Sequence, residues 1–228
     1  MRLLVAIPQH TTLPPVLRTR MELLASALTL DNAGLDWTLD VAIYPNAEHP
    51  VAGDLPCAPH ARARNALLDR YLRPDHDAVL WLDADLTYYP PLLPRLLAAV
   101  QPPGGIVAPL VLIEGTTRLY DTQGVRTVDG GPVAREAPYF VDCPQLGPRL
   151  YQLGSVGCAY LAPAALYHAG VRYAPTAGHT EHWSVMAAHR DRGGAVACTT
   201  ALTAYHANLP DYGEAWHPVV PRIREAVG

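Results

Sequence analysis

Two aspartates one residue apart, Asp83 and Asp85, follow directly after the apolar run from Val79 to Leu82. An apolar run of this length, preceded by the polar residues 74–77, predicts a short strand of a parallel sheet that is covered on both faces. In open α/β sheets, ligands bind outside the carboxyl ends of the strands. Two carboxylates at such a place can share a divalent cation whose other ligands are phosphate oxygens. A solvated turn, or Asp85 capping a following helix, is the plainer interpretation of the same sequence.

The composition excludes several classes of chemistry. The chain has 228 residues, half of them hydrophobic, and a formal charge of -4. We therefore expect one domain with a full core, and no general affinity for nucleic acid or for membrane surfaces. Lysine is absent from the sequence. Schiff-base and pyridoxal-phosphate enzymes and P-loop NTPases, which depend on a lysine, are therefore excluded.

The cysteines and the N-terminus indicate the compartment. The four cysteines are widely spaced and form no C-x-x-C pair, so we interpret them as reduced thiols rather than disulfides or zinc ligands. Residues 1–8 are strand-like and too short for a signal peptide. No apolar run reaches the length that spans a bilayer. We therefore expect a soluble, cytoplasmic protein without a membrane span.

Strands and helices alternate over most of the chain. The apolar patterns predict strands at 2–7, 39–44, 79–82, 106–112, 153–161 and 195–205. They predict helices at 14–30, 60–72, 90–100, 163–170 and 181–192. This order is typical of an α/β fold with a mixed, mostly parallel sheet flanked by helices. Residues 113–153 have no helical period and predict an irregular segment with short antiparallel strands.

Six short sequences occur in an order that resembles one enzyme family. They are Ala63-Arg64-Asn65, Leu80 to Asp85, Tyr120-Asp121-Thr122, Val156 to Leu161, Thr180-Glu181 and Tyr205-His206. Together they resemble the GT-A glycosyltransferases, and most of all the fungal mannan-polymerase type α-mannosyltransferases. The similarity extends over residues 61–208. One departure is Glu181-His182, where those enzymes carry Glu-Asp.

The resemblance implies a Rossmann-like GT-A fold and transfer of a sugar from a UDP- or GDP-linked donor to a hydroxyl acceptor, with retention. It implies a bound Mn²⁺ or Mg²⁺ with Asp85 as the direct ligand and His206 as a third protein ligand. Asp83 would contact the ribose or a metal-bound water, or share the metal. A shell of carboxylate, imidazole and phosphate suits Mn²⁺ better than Ca²⁺. A lone histidine is also commonly structural.

Four more residues are candidates for binding the nucleotide. Pro8 and Gln9, at the end of the first predicted strand, would border the base. Arg64, near the start of a helix, could reach the diphosphate while Asn65 fixes a loop. A solvated helix face explains the arginines of this helix equally well.

The predicted glycosyltransferase is a single domain, with a nucleotide-sugar half at 1–112, an acceptor-side half at 113–208 and a tail at 209–228.

Glu181 and Asp121 are the candidate catalytic residues. Glu181 could deprotonate the acceptor hydroxyl in an inverting reaction, or hold the acceptor or the sugar in a retaining one. Its alternative role is a first-turn carboxylate stabilised by the helix dipole. Asp121 could bind hydroxyls of the donor sugar or order the acceptor loop, or it could be a simple turn aspartate. Trp183 and Trp216 could stack on a sugar, although core packing is commoner for tryptophan.

Two other functions compete with glycosyl transfer. A nucleotidyltransferase acting on sugar phosphates also uses an acid pair and a metal. Such enzymes usually carry a glycine-rich loop with a basic residue after the first strand, where this chain has Pro8 to Thr12. A non-catalytic nucleotide- or carbohydrate-binding module with the same fold is the second. The acceptor stays open among a glycan, a small molecule, a protein and a modified base of phage DNA.

Overall fold

The computed structural model describes residues 1–10, 15–33, 37–46, 55, 57–99 and 104–207. Within these ranges, the side chains of residues 9–10, 15–20 and 44–46 are left undescribed. The predicted tail at 209–228, with Trp216, lies outside the described residues.

The part of the chain that the structure describes contains nine strands and five helices. The strands are β1 (Arg2–His10), β2 (Thr38–Asn46), β3 (Ala78–Leu82), β4 (Leu86–Tyr88), β5 (Ile106–Ile113), β6 (Gln145–Gly147), β7 (Leu150–Gln152), β8 (Ala159–Pro163) and β9 (Val196–His206). The helices are α1 (Pro15–Asn32), α2 (Ala58–Tyr71), α3 (Leu93–Ala99), α4 (Ala164–His168) and α5 (His182–Arg190). In these ranges, no helix combines the length and the apolar character needed to cross a membrane.

The strands form one sheet in the order β2-β1-β3-β8-β5-β9-β7-β6, and β4 pairs with β9 beside this path. The longest ladders, β1 with β2 and β5 with β9, are parallel. Strand β8 lies antiparallel between β3 and β5. The predicted α/β class, with a mixed, mostly parallel sheet flanked by helices, is confirmed.

Strand β3 lies at the centre of the core. All five of its residues are buried. Because side chains alternate between the two faces of a strand, Val79 and Trp81 pack into one hydrophobic cluster and Leu80 and Leu82 into the other. The sheet is therefore covered on both faces, as the apolar run predicted.

Several predicted elements have other bounds in the structure. Strand β1, expected at 2–7, continues to His10. The helix expected at 90–100 begins only at Leu93, and before it residues 86–88 form the unpredicted strand β4 against the end of β9. The strand expected at 153–161 begins only at Ala159. Cys158 has a φ of 59°, outside the β region, and Gly154 instead donates its N–H to the carbonyl of Arg126.

Residues 113–153 are irregular apart from the short antiparallel pair β6 and β7 and a few isolated bridges. This agrees with the expectation for the segment. Its first residues turn back on the end of β5, where Leu119 bridges to Leu112.

Candidate active site

Asp83 and Asp85 lie in the turn that joins β3 to β4. The backbone N–H of Asp83 donates to the carbonyl of Cys158, which precedes β8, and the N–H of Leu86 donates back to the carbonyl of Asp83. Strand β4 then pairs with the last residues of β9, with Leu86 opposite His206. This pairing places a histidine from the far end of the chain beside the two aspartates.

Asp85 and His206 are in direct contact. Nε2 of His206 lies 2.9 Å from Oδ2 of Asp85, and the two side chains are only 10% and 13% exposed. The other ring nitrogen, Nδ1, lies 2.9 Å from the carbonyl oxygen of Ala207. Since a carbonyl only accepts, Nδ1 carries a proton, and Nε2 of a neutral ring would present its lone pair to a carboxylate. The contact therefore requires a further proton, on the ring or on the carboxyl group, or a bound cation.

The pKa of His206 follows from the same contact. Burial alone lowers the pKa of a histidine, but the neighbouring Asp85 carboxylate outweighs burial and raises the pKa of His206 above its usual value. The site therefore favours positive charge next to Asp85.

The geometry of the pair also fits a divalent cation. Two ligands at right angles, each about 2.1 Å from the same ion, are about 3 Å apart, which matches the Asp85–His206 separation of 2.9 Å. Among the described residues, no group of three His, Cys, Asp or Glu side chains is arranged to hold a metal ion. Asp85 and His206 could therefore provide two ligands of an ion here, and water or a phosphate-bearing ligand could provide others.

Arg64 connects Asp83 to Glu181. Its Nη2 donates to Oδ1 of Asp83 at 2.9 Å, and its Nε donates to Oε1 of Glu181 at 3.1 Å. The residue is 3% exposed, and its guanidinium lies over the ring of Trp81, 5.1 Å from the centroid. The interpretation of Arg64 as part of a solvated helix face is therefore wrong. Its direct contacts are with carboxylates, where the sequence suggested a diphosphate.

Glu181 directly precedes α5, as predicted, but it faces inward. It is 5% exposed. Burial alone raises the pKa of a carboxyl group, yet the nearby His182 and Arg64 lower the pKa of Glu181 to about 2. A buried, ion-paired carboxylate with so low a pKa is a weak proton acceptor. The arrangement suits a fixed counter-ion for Arg64 better than a general base.

A chain of buried hydrogen bonds, which sequence reasoning missed, extends from Arg64 into the core. Nε2 of His182 lies 3.4 Å from Nη2 of Arg64, and Nδ1 of His182 lies 3.3 Å from the hydroxyl of Tyr160. The chain continues through the hydroxyls of Tyr173 and Tyr167 to Nε1 of Trp81. These residues come from different elements and share no sequence spacing, so only an unusual number of tyrosines near β8 could have indicated them.

Asp121 occupies a close-fitting recess beside the aspartate turn. Its Oδ1 accepts the backbone N–H of Gly124 at 2.6 Å, and its Oδ2 lies 3.5 Å from Sγ of Cys158. A Cβ atom at either Gly124 or Gly157 would overlap the carboxylate. Burial raises the pKa of Asp121. The same Cys158 whose carbonyl holds Asp83 therefore also contacts Asp121, which brings Asp121 to the site.

The other predicted nucleotide-binding residues lie nearby. The side-chain amide of Asn65 donates from Nδ2 to the carbonyl of Tyr173 at 2.8 Å and accepts the N–H of Tyr173 at Oδ1 at 2.9 Å. Asn65 therefore fixes the loop after α4. Pro8 lies two residues beyond Ala6, which pairs with Trp81, and is therefore level with the turn after β3. Gln9 follows it in β1, and its side chain is not described.

Trp183 packs against protein groups rather than facing open solvent. Its ring is stacked on His179, with centroids 4.3 Å apart, and the guanidinium of Arg190 lies 4.7 Å from its centroid. Gly130 and Gly154 also lie against the indole. Packing within the protein therefore describes Trp183 better than stacking on a sugar.

Comparison with known proteins shows the fold. No protein-family model and no curated protein matches the chain. The match to the crystal structure of A197 from STIV covers 90% of this chain and 85% of the A197 chain, with a TM-score of 0.54 and 15% sequence identity. The match to GalNAc-T7, crystallised with UDP, GalNAc and Mn²⁺, covers 98% of this chain, with a TM-score of 0.52 and 14% sequence identity. It covers about half, 48%, of the GalNAc-T7 chain.

A third match is to a mutant of the Drosophila β-1,4-galactosyltransferase 7 in complex with manganese, UDP-Gal and xylobiose. It covers 98% of this chain and 79% of the galactosyltransferase chain. The TM-score is 0.50 and the identity 12%. The chain therefore has the GT-A fold of these glycosyltransferases. The narrower resemblance to the fungal mannan-polymerase type is not supported by any of these comparisons.

Proposed function

We propose that this protein is a metal-dependent glycosyltransferase that moves a sugar from a UDP- or GDP-sugar to a hydroxyl acceptor. The observation that carries the proposal is the Asp85–His206 pair, whose 2.9 Å contact requires a proton or a cation between the two groups and fits two ligands of one cation. The GT-A fold supports it, because two structural neighbours were crystallised with manganese and a uridine nucleotide.

Asp85 and His206 would hold Mn²⁺ or Mg²⁺ at the carboxyl end of β3. When bound, the ion supplies the positive charge that stabilises the leaving diphosphate as the glycosidic bond breaks. The carbonyl of Ala207 holds the proton on Nδ1 of His206, so that Nε2 faces the site as a ligand. Such outer contacts orient metal-binding histidines and raise their affinity.

Asp83 and Arg64 would serve the nucleotide. Because Arg64 occupies Oδ1 of Asp83, the other carboxylate oxygen is left for a ribose hydroxyl or a metal-bound water. Nη1 of Arg64 is buried and has no hydrogen-bond partner among the described residues. A bound ligand or water would satisfy this donor. Pro8 and Gln9 would border the base, and residues 1–112 would form the nucleotide-sugar half of a single domain.

The reaction would proceed with retention of the anomeric configuration. An inverting enzyme needs a base at the acceptor hydroxyl, and Glu181 is buried and paired with Arg64. Asp121, held in its recess beside Cys158, would bind hydroxyls of the transferred sugar. The acceptor would dock against the irregular segment at 113–153, in the half at 113–208. Comparing the anomeric proton of donor and product by NMR tests this, and an inverted product would contradict it.

The decisive experiment is thermal unfolding with UDP, GDP or CDP, each with and without Mn²⁺. A ligand that binds the native state raises the unfolding midpoint by mass action. We expect one or more of these nucleotides to raise the midpoint of the wild type only when Mn²⁺ is present. Asp85→Ala should abolish that shift, and the same change at the exposed Asp142 should leave it intact. A wild-type protein without any Mn²⁺-dependent shift would refute the proposed function.

A further inference from the structure

Tyr120 covers one face of the His206 ring. The two rings are nearly parallel, with an interplanar angle of 10° and centroids 3.3 Å apart. Tyr120 is 37% exposed, so it forms the solvent side of this stack. It comes from the irregular segment after β5, where its N–H donates to the carbonyl of Val111 at 2.9 Å.

The other contacts of His206 hold its backbone and the edge of its ring, and the stack adds a contact to the face of the ring. The backbone of His206 is held on both sides, by Leu86 in β4 and by Ile113 in β5. The hydrogen bond from Nδ1 to the carbonyl of Ala207 fixes the direction of one ring nitrogen. Nε2, the other ring nitrogen, lies 2.9 Å from Asp85, so both nitrogens are held at the edge of the ring. The parallel ring of Tyr120 contacts the face of the imidazole instead, and it resists tilting of the imidazole towards that face.

We propose that Tyr120 is a positioning residue of the metal site, acting through His206 and through its ring rather than its hydroxyl. The proposal rests on the proposed function in that the ion bound by Asp85 and His206 is a divalent metal. In the sequence, Tyr120 is part of the Tyr120-Asp121-Thr122 motif, in which only Asp121 was given a role.

Direct measurement of Mn²⁺ binding tests the proposal without an activity assay. The electron paramagnetic resonance signal of free Mn²⁺ is titrated against wild type, Tyr120→Phe and Tyr120→Leu, with no nucleotide present. Tyr120→Phe keeps the ring and should bind Mn²⁺ within about twofold of wild type, whereas Tyr120→Leu should bind about 10-fold more weakly, as expected for loss of an orienting contact.

A tyrosine elsewhere on the surface provides the matched control. Tyr89 is 47% exposed, and its ring contacts the edge of Tyr205 rather than His206. Tyr89→Leu should leave Mn²⁺ affinity unchanged, which shows that loss of a surface tyrosine is not itself the cause. The thermal midpoints of the metal-free variants show whether each one is folded.

The outcomes separate the two proposals. Wild type that binds no Mn²⁺ in this titration would overturn the role of Tyr120, whereas the proposed function fails only if the nucleotides also give no Mn²⁺-dependent thermal shift. If wild type and Tyr120→Leu bound Mn²⁺ with equal affinity, the role of Tyr120 would be overturned and the proposed function would stand. Tyr120→Phe that binds more than 10-fold more weakly would also overturn it, because the hydroxyl would then carry the effect.

Discussion

At the scale of single residues, the centre of the site is a buried arginine between two carboxylates. Arg64 pairs with Asp83, whose side chain is 26% exposed, and with Glu181, whose side chain is 7% exposed. Burying a charge is costly unless it is paired and hydrogen-bonded. The geometry of Asp83 therefore depends on Glu181, even though Glu181 does not touch Asp83 through any hydrogen bond described.

Glu181→Gln tests this dependence. The change keeps the shape of the side chain and removes its charge, so one of the two partners of the buried Arg64 is lost. Breaking a buried pair at one end costs about 3 kcal/mol, and we expect a decrease of that size in the free energy of unfolding, measured with urea. Glu136→Gln is the matched control, because the Arg118–Glu136 pair has a similar distance of 3.0 Å but is exposed to solvent. Equal effects of the two changes would contradict the prediction.

At the scale of elements, a carboxylate of one helix caps the N-terminus of another helix. Asp31, in the last turn of α1, accepts the backbone N–H groups of Leu92 at 3.0 Å and Leu93 at 3.1 Å. These are among the first N–H groups of α3, which have no partner within their own helix. Burial raises the pKa of Asp31. The contact joins α1 to α3 on the face of the sheet that covers Leu80.

Asp31→Ala should lower the free energy of unfolding by about 2 kcal/mol, because it leaves two buried N–H groups without an acceptor. Asp31→Asn keeps one carbonyl oxygen and should lose clearly less. Chemical denaturation of the two variants beside wild type provides the comparison. If Asp31→Asn and Asp31→Ala were equally unstable, the capping bonds would not be the source of the effect.

The turn before β8 is the second element on which the site depends. Gly157 lies so close to Asp121 that a Cβ atom would overlap the carboxylate. Gly157→Ala should therefore displace Asp121 and lower the free energy of unfolding by about 1–3 kcal/mol, as overpacking of a close-fitting site does. Gly147→Ala is the control, because a Cβ at Gly147 meets no atom within 4 Å. A Gly157→Ala protein as stable as wild type would contradict the close fit of Asp121 in this recess.

At the scale of the whole molecule, buried histidines make stability depend on pH. Burial lowers the pKa of His182 to about 4, although Glu181 opposes this. The unfolded chain takes up this proton near the ordinary histidine pKa of about 6.5, so the stability due to a neutral His182 is present above that pH. It is lost as the pH falls towards 4. The raised pKa of His206 acts in the opposite direction.

His182→Gln should flatten the decline in stability between pH 6.5 and pH 4. Removing one differentially bound proton removes about 1.4 kcal/mol per pH unit from the slope. Urea unfolding at several pH values in this range measures the slope for wild type and variant. His168→Gln, changed at an exposed position of α4, is the control. An unchanged slope in His182→Gln would contradict the assigned pKa shift.

Much of the fold was predictable because it depends on local patterns. The apolar run before Asp83 predicted β3, and the alternation of strands and helices predicted the α/β class. Strand β4 was missed because its three residues, 86–88, are too few to show a period, and they become a strand only by pairing with β9. The start of β8 was missed because the left-handed conformation of Cys158 leaves no mark on residue type.

The sequence by itself determined that two carboxylates follow a buried strand, because a short apolar run and its polar boundaries are local features. Only the tertiary structure decided which side chains meet them. Pairing of β4 with β9 brings His206 to Asp85, and the packing of α2 near α5 brings Arg64 to Glu181 across 117 residues. Such contacts depend on strand register and helix packing between distant segments, which no local period encodes.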